Sequence, residues 1–231
     1  MIPSVALTTT SGRAAELAPI ARIHGLRPVV LPCIEVVPAS AGVLEKARRS
    51  AAGADWLLVT SARTVEYLWP HGRIPEVEVA AVGSRTAAAV TDAGGTVSLV
   101  GDAGSFDLIA ELASLVKNAT LCFPHGRGAD LSKVRVLEEG AGTVSTWEVY
   151  STEPIPPALD PVDAVAFGSP SAVDGWTRSR DFTGVAVGAI GETTDAALSG
   201  RGHSVDVVAD RPDYAELLER LSASVRDKSK V

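Results

Sequence analysis

The chain has 231 residues, of which 46% are hydrophobic and 21% charged, a balance that excludes an extensively disordered protein and allows one large or two small domains. The net charge of −7 and the lack of a basic block argue against a nucleic-acid partner. No apolar run approaches the roughly 20 residues that cross a bilayer. The N-terminal MIPSVALTTT does not have the form of an export signal, so we expect a cytoplasmic protein without a membrane partner.

Short runs rich in Val, Leu and Ala recur along the chain, each bounded by Gly, Ser or Thr. In chain order they are SVALTT, RPVVLP, DWLLVTS, VEVAAVG, GTVSLVG, ATLCFPHG, GTVSTWEVY, DAVAFGS, GVAVGAIG and HSVDVVAD. Continuous apolar runs of about 4–6 residues are typical of parallel strands that are buried on both faces. Amphipathic helical patterns lie between them, for example around Leu112 and Leu218. The alternation predicts a doubly wound α/β fold, and the residues after Ser222 are expected to form a frayed tail.

An internal repeat divides this pattern into two halves. Residues 55–111 align without a gap to the sequence 108 positions later, and turn residues match as well as apolar ones. The matched pairs include Asp55 with Asp163, Ser61 with Ser169, Gly83 with Gly191, Thr86 with Thr194, and Gly94 with Gly202. A looser similarity joins TTTSGRAAEL near the start to FPHGRGADL around residue 127. Two similar parallel-sheet domains of Rossmann or flavodoxin type are therefore predicted.

The order of the strands indicates how the halves are assembled. Each half needs about five strands, so the first two strands should complete the half that holds the second copy of the repeat. Domain 1 is then discontinuous, with residues 1–35 and 153–231, and domain 2 comprises residues 38–150. Two extended, proline-containing segments, residues 32–40 and 149–157, would link them. A ligand cleft is expected between the domains, at the carboxyl ends of the strands.

Four loops share one pattern, in which a strand is followed by a small or hydroxyl residue and then by a helix. They are Thr60-Ser61-Ala62, Gly83-Ser84-Arg85-Thr86, Gly168-Ser169-Pro170-Ser171 and Gly191-Glu192-Thr193-Thr194. A related pair is Thr10-Ser11-Gly12-Arg13 and His125-Gly126-Arg127-Gly128. The Ser and Thr side chains can act simply as helix caps. Alternatively, the free amides and positive ends of several helices can together bind carboxylates.

Motifs for other chemistries are missing from the sequence. It contains no GxxxxGK[ST] loop, no GxGxxG fingerprint and no GxSxG elbow, so nucleotide hydrolysis, dinucleotide binding and serine hydrolysis have no support. The four histidines are scattered without metal-ligand spacing. Cys33 and Cys122 lie in apolar runs and are expected to be buried, reduced thiols. We therefore predict no metal and no cofactor.

Taken in order, these segments resemble the uroporphyrinogen-III synthase family over about residues 3–222. The segments that carry the resemblance are DWLLVTSARTVEYL, VAAVGSRTAAAVTDAGGTVSLV, STWEVYST, AVAFGSPSAV, VGAIGETTDAAL and RPDYAELLERL. Arg63, Arg85, Glu192 and Asp195 depart from the residues that are common in the family. Glu192 would repel a carboxylate placed beside it.

The resemblance implies a cofactor-free hydro-lyase of haem biosynthesis, which acts on a small-molecule substrate as a monomer. It would cyclise hydroxymethylbilane, with loss of water, to uroporphyrinogen III, in which the last pyrrole ring is inverted. Tyr150 corresponds to the family's functionally important tyrosine and would assist departure of the hydroxyl group; alternatively, it packs at the hinge.

The resemblance also suggests a set of substrate-binding residues around the loops. They are Thr10, Ser11, Arg13, Ser61, Arg63, Gly83, Thr86, Arg127, Ser169, Ser171, Gly191, Thr193 and Thr194. The arginines would pair with substrate carboxylates, or else they are solvated surface residues. A two-lobed binding or sensor protein for an anionic ligand is the rival from another functional class, and a sugar-nucleotide transferase is a third candidate, although each half is small for it.

Overall fold

The computed structural model describes residues 2–101, 106–138 and 142–228. The chain divides into two compact units. Unit 1 comprises Met1–Val36 and Thr152–Val231, and unit 2 comprises Val37–Ser151. Each unit contains one predominantly parallel sheet. The predicted fold class, two similar doubly wound α/β domains of which the first is discontinuous, is confirmed.

Unit 1 is a five-stranded sheet with helices on both faces. Its strands are β1 (Ser4–Leu7), β2 (Arg27–Val30), β9 (Ala164–Phe167), β10 (Ala186–Ala189) and β11 (Val207–Val208). Its helices are α1 (Ser11–Ile23), α7 (Pro170–Trp176), α8 (Glu192–Ser199) and α9 (Tyr214–Lys228). Alternate residues of β9 face opposite layers: Ala164 and Ala166 pack with α1 and α9, and Val165 and Phe167 pack with α7 and α8. Both faces are therefore buried, as the continuous apolar runs predict.

Unit 2 repeats this three-layer arrangement. Its strands are β3 (Ile34–Pro38), which begins in unit 1, β4 (Trp56–Val59), β5 (Glu78–Val82), β6 (Val97–Gly101), β7 (Thr120–Gly126) and β8 (Thr143–Pro154), which ends in unit 1. Its helices are α2 (Ala41–Ala52), α3 (Ala62–Leu68), α4 (Ser84–Asp92), α5 (Phe106–Leu115) and α6 (Ser132–Glu138). Leu57 and Val59 pack with α2, α3 and α4, whereas Leu58 packs with α5 and α6.

The two sheets share strand order and register. Unit 1 has the order β11-β10-β9-β1-β2, and unit 2 has β6-β5-β4-β7-β8 with β3 added at the edge. The pair Trp56–Glu78 in unit 2 becomes Ala164–Ala186 in unit 1, each residue shifted by 108 positions. A shift of 116 positions carries the pair Ser4–Arg27 onto Thr120–Thr143. The repeat that is visible in the sequence therefore corresponds to a repeated sheet, with β1 and β2 in the places of β7 and β8.

A hydrogen-bonded carboxylate is repeated at the amino-terminal edge of both sheets. Asp163 accepts hydrogen bonds from the backbone N–H and the hydroxyl of Ser4, both at 2.7 Å. Asp55 accepts the same two bonds from Thr120 at 2.8 Å. These hydrogen bonds hold the pKa of both carboxyl groups below the ordinary value of 3.8. Each pair thus joins the residue before one strand to the first residue of its neighbour and helps to fix their register.

The two linking segments form β3 and β8, in agreement with the two-stranded extended linker that the sequence predicts. β3 and β8 are neighbours in the six-stranded sheet, and their ends are tied by bonds from Ala39 N to Val149 O (2.9 Å) and from Ile155 N to Cys33 O (2.8 Å). Pro38 ends β3 and Pro154 ends β8. Proline is tolerated at these positions because the end of a strand needs fewer ladder hydrogen bonds.

The expected frayed tail after Ser222 is wrong, because α9 continues to Lys228. Val225 is buried in the same core cluster as Leu217, Leu218 and Leu221. The Ser222 hydroxyl donates to the carbonyl of His24 (2.7 Å), and Arg226 donates to the same carbonyl (3.2 Å). These contacts to the end of α1 stabilise the last turns of α9. Residues 229–231 lie outside the described part of the chain.

We predict that Asp163→Asn destabilises unit 1 in a pH-dependent manner. The lowered pKa means that the carboxylate contributes stability above about pH 3.8, and that this contribution is lost as the pH falls through the folded-state pKa. At pH 7 the free energy of unfolding should fall by roughly 1 kcal/mol, a small value because Asp163 is exposed. Urea unfolding at pH 7 and at pH 3 measures the difference.

The control is Asp160→Asn, which removes an exposed carboxylate for which the described residues provide no hydrogen bond or ion pair. It should leave the urea midpoint unchanged at both pH values. An Asp163→Asn effect of equal size at pH 7 and pH 3 would contradict the role assigned to the ionised carboxylate.

Candidate active site

The carboxyl ends of β9, β10 and β11 surround a cleft in unit 1. Its volume is about 710 Å³. Four of the predicted binding residues line it: Ser169, Gly191, Thr193 and Thr194. Ser171 is half-buried in the first turn of α7 and is not among the lining residues. The structure therefore brings together residues of two loops that are more than 20 positions apart in sequence.

Two of the predicted serines cap helices. The Ser169 Oγ accepts a hydrogen bond from the Ala172 amide, and the Ser61 Oγ accepts one from the Arg63 amide, both at 3.3 Å. A capping serine uses its oxygen as the acceptor and keeps its hydroxyl proton as a donor. Helix capping and donation to a carboxylate are therefore compatible at these positions.

The threonines of the glycine-containing turns are placed unequally. Thr86 and Thr194 are almost wholly buried, at 5% and 3% exposure, and each amide donates to the carbonyl of the glycine three residues earlier, at 3.1 Å. The backbone of each threonine thus takes part in the first helical turn, and its side chain is buried away from solvent. Thr193 is exposed, so its hydroxyl is accessible to a ligand.

The first loop of unit 1 lies beside this cleft in the strand order, because β1 neighbours β9. Thr10 precedes α1 without a side-chain capping bond, and Ser11 is exposed at the first helical position. Arg13 is exposed and pairs with Glu16 at 2.7 Å within the same helix. An exposed intrahelical ion pair contributes little stability, so Arg13 can exchange Glu16 for a ligand carboxylate at small cost.

Arg127 is placed differently from its counterpart Arg13. It follows β7, but α6 begins only at Ser132, so the expected resemblance to a helix-start loop does not extend to this turn. Its guanidinium pairs with Glu148 on β8 at 2.9 Å, and both groups are largely exposed. Its backbone amide donates to the carbonyl of Tyr150 at 2.8 Å. Arg127 therefore links the ends of β7 and β8.

Tyr150 lies at the carboxyl-terminal edge of the unit 2 sheet. It is half-buried against the core cluster below α2, α3 and α4. Its ring centroid is 5.8 Å from that of Tyr67, at an interplanar angle of 39°. Tyr67 and the half-buried Arg63 lie one helical turn apart on α3, so the structure groups Arg63, Tyr67 and Tyr150 within unit 2.

Two tyrosines near these loops, Tyr67 and Tyr214, are not among the site residues that the sequence predicts. Burial raises the pKa of Tyr67, and the nearby Arg63 opposes that rise. Burial likewise raises the pKa of Tyr214, against a hydrogen bond with Thr9 and the charge of Arg13. Tyr214 packs against Gly168, where a β-carbon would collide with its hydroxyl group. In the sequence, Tyr214 reads as a core residue of an amphipathic helix, and only its position in space relates it to the cleft.

Comparison with known proteins assigns the chain to a family. A family model described as uroporphyrinogen-III synthase HemD matches residues 15–219. The chain belongs to the uroporphyrinogen-III synthase family. A uroporphyrinogen-III synthase of Chlorobaculum parvum is 24% identical over 245 residues, which covers 93% of this chain and 97% of that protein. The family assignment makes the chain a hydro-lyase of haem biosynthesis.

Solved structures agree with the family at the level of the fold. The uroporphyrinogen-III synthetase of Helicobacter pylori has a TM-score of 0.67 at 18% identity, covering 98% of this chain and 100% of that chain. A mutant uroporphyrinogen-III synthase of Thermus thermophilus has a TM-score of 0.55 at 21% identity, covering 99% and 98%. At these identities the likeness establishes the uroporphyrinogen-III synthase fold.

The two cysteine thiols of the chain lie apart from the loops at the helix starts. Cys33 and Cys122 are free thiols, both fully buried, and burial raises the pKa of Cys33 to about 12. Among the described residues, no cluster of three or more His, Cys, Asp or Glu side chains could hold a metal ion. No helix in that part of the chain has the length and apolarity needed to cross a membrane.

We predict that Gly83→Ala lowers the free energy of unfolding more than Gly191→Ala does, although the two glycines are equivalent in the sequence repeat. Gly83 has a φ of 81°, a left-handed conformation, whereas Gly191 has a φ of 174°, an extended one. A β-carbon added at either glycine would meet no atom within 4 Å beyond the adjoining residues. Gly83→Ala should lower the free energy of unfolding by about 1–2 kcal/mol, and Gly191→Ala by much less. Urea unfolding of both variants measures this; equal losses would contradict it.

Proposed function

We propose that this chain converts hydroxymethylbilane into uroporphyrinogen III, with loss of water and inversion of the last pyrrole ring. The observation that carries the proposal is the match of the family model to residues 15–219. A non-catalytic receptor for an anionic ligand would share the two-unit architecture, but neither the family match nor the similar proteins favour it.

The reaction makes limited demands on reactive side chains. The terminal C–O bond of the substrate breaks, its hydroxyl leaves as water with an added proton, and an electrophilic azafulvene remains. The far end of the chain attacks through a substituted carbon, and the resulting spiro intermediate fragments and recloses with the last ring inverted. Closure without the protein gives the uninverted isomer. The protein therefore acts mainly by holding one conformation of a flexible chain.

The substrate carries acetate and propionate groups on four pyrroles, so the protein must bind a molecule with many negative charges. The protein itself has a net charge of −7, and long-range attraction does not help it to capture a polyanion. Local groups must therefore bind the carboxylates. We assign this role to the amides at the starts of α3, α4, α7 and α8 together with the capping hydroxyls of Ser61 and Ser169.

The equivalent loops of the two units differ in charge. Unit 2 has Arg63 and Arg85 where unit 1, 108 positions later, has Ser171 and Thr193. Unit 1 also has Glu192 where unit 2 has Ser84. Among these repeated loops we therefore assign charge pairing with substrate carboxylates to those of unit 2, and binding through amides and hydroxyls to those of unit 1; Arg13, which lies outside the repeated loops, adds one arginine on unit 1. Glu192 would disfavour a carboxylate at the start of α8.

Tyr150 is our candidate for the group that assists departure of the hydroxyl. A phenol hydrogen-bonded to the leaving oxygen stabilises it as the C–O bond breaks and can transfer a proton to it. Support comes from the half-buried position of Tyr150 at the carboxyl-terminal edge of the unit 2 sheet, where it lies close to Tyr67.

Supplying hydroxymethylbilane and separating the product isomers chromatographically tests the proposed function. We expect the type III isomer with the wild-type protein, and a roughly 100-fold lower kcat for Tyr150→Phe with unchanged folding. If only the type I isomer forms, with or without protein, the synthase function is wrong and the receptor alternative survives. If Tyr150→Phe keeps full turnover, Tyr150 has no part in the mechanism.

The charge difference between the units predicts that removing a charge from the two units changes KM in opposite directions. Arg63→Gln should raise KM about fivefold, since one partly exposed charge pair is worth roughly 1 kcal/mol, and Glu192→Gln should lower KM. Both effects should shrink as salt is added. The control is Arg49→Gln, on the end of α2 that leads into the amino-terminal edge of the sheet, which should leave KM unchanged. Equal effects of the two arginine variants would contradict the assignment.

A further inference from the structure

The surroundings of Tyr150 point to a second residue in the same part of unit 2. β7 and β8 pair in regular register from Thr120–Thr143 to His125–Glu148, and the register then shifts so that Gly126 lies opposite Tyr150. A β-carbon at Gly126 would lie 2.5 Å from carbon atoms of the Tyr150 ring and 2.8 Å from its hydroxyl oxygen. Real β-carbons do not approach other atoms so closely, so the Tyr150 ring occupies space that only glycine leaves open.

The Tyr67 ring also lies against Tyr150, across a centroid distance of 5.8 Å and at a tilt of 39°. This separation and tilt fall within the range in which aromatic pairs attract each other. Tyr150 is thus in contact with the β7 backbone at Gly126 and with the aromatic ring of Tyr67.

Tyr67 is itself held in place by the ends of its helix. At the start of α3, the Ser61 hydroxyl caps the Arg63 amide. At the end of α3, the Arg48 side chain on α2 donates to the backbone carbonyls of Tyr67 and Leu68. A ring mounted on a helix restrained at both ends can restrict the orientation of a neighbouring ring.

We propose that Tyr67 is a positioning residue for the reaction, which acts by holding the Tyr150 phenol against the space left by Gly126. The inference rests on the proposed role of Tyr150. Because the contact is between rings, the aromatic ring of Tyr67 is the part that restricts the orientation of Tyr150. The sequence repeat offers no precedent for this residue, since the position 108 residues later is Gly175.

Steady-state kinetics of a double-mutant cycle test the proposal, using Tyr67→Leu, Tyr150→Phe and the double variant. We expect Tyr67→Leu to lower kcat roughly 10-fold with little change in KM, because a displaced catalytic group is used less efficiently. In the Tyr150→Phe background, Tyr67→Leu should lower kcat by less than about twofold. Tyr67→Phe should restore kcat to near the wild-type value.

Several outcomes would overturn the inference. Equal fold losses from Tyr67→Leu in both backgrounds would mean that Tyr67 acts independently of Tyr150, and a Tyr67→Phe loss as large as that of Tyr67→Leu would mean that the ring contact is not the cause. An unchanged kcat in Tyr67→Leu would also refute it. These results leave the proposed function intact, whereas failure to form the type III isomer with wild-type protein removes both.

Gly126→Ala provides a second test from the other side of the ring. The added β-carbon must displace Tyr150, so kcat should fall by a similar factor, and the loss should again shrink in the Tyr150→Phe background if the displaced hydroxyl is responsible. Gly42→Ala is the matched control, since Gly42 lies in α2 and a β-carbon added there would meet no atom of another element within 4 Å. Circular dichroism and urea midpoints establish that each variant is folded. Full activity in a folded Gly126→Ala variant would contradict the steric argument.

Discussion

The register of parallel strands is the constraint on which the other features of this protein depend. In a parallel sheet all strands end at the same edge, so the loops that follow them are gathered at that edge however far apart they are in the chain. A shift of one residue between two strands would turn their buried side chains to the opposite layer and displace the following loop. In both units an Asp–Ser or Asp–Thr pair joins two strands at their amino-terminal ends, at the edge opposite the loops. The hydrogen bonds that stabilise the strand register therefore lie at the amino-terminal ends of the strands, and the loops that position the candidate site residues lie at the carboxyl-terminal ends of the same strands.

The two units use this framework with different surface chemistry. Because their registers coincide, Arg63 and Ser171 occupy equivalent positions, as do Ser84 and Glu192. The backbone amides at the helix starts are common to both units, and only the side chains differ. The charged side chains of these loops are therefore the feature that distinguishes the two units.

The features that could be predicted from the sequence are those encoded locally or by repetition. Apolar runs such as SVALTT and DAVAFGS identify buried parallel strands because alternation is lost when both faces are covered. The 108-residue repeat identifies equivalent strands because core and turn residues face the same constraints in both copies. Contacts between distant segments are not encoded in this way. The extension of α9 against His24 and the approach of Tyr67 to Tyr150 each depend on residues that look ordinary in their local sequence. Helical spacing also does not distinguish Thr194, which is buried, from Thr193, which is exposed.

Gly126 illustrates how a functional constraint can be hidden in such a repeat. The looser sequence similarity pairs it with Gly12, two residues after Thr10, which suggests a shared turn. The strand register equates Phe123 with Leu7, where the paired part of β1 ends, and Gly126 lies three residues beyond that point. A β-carbon at Gly12 would meet no atom within 4 Å, whereas residue 126 must be glycine because the Tyr150 ring occupies the space. The identity of the residue is therefore dictated by its partner across the sheet, and the difference between the two copies falls where unit 2 holds its candidate catalytic phenol.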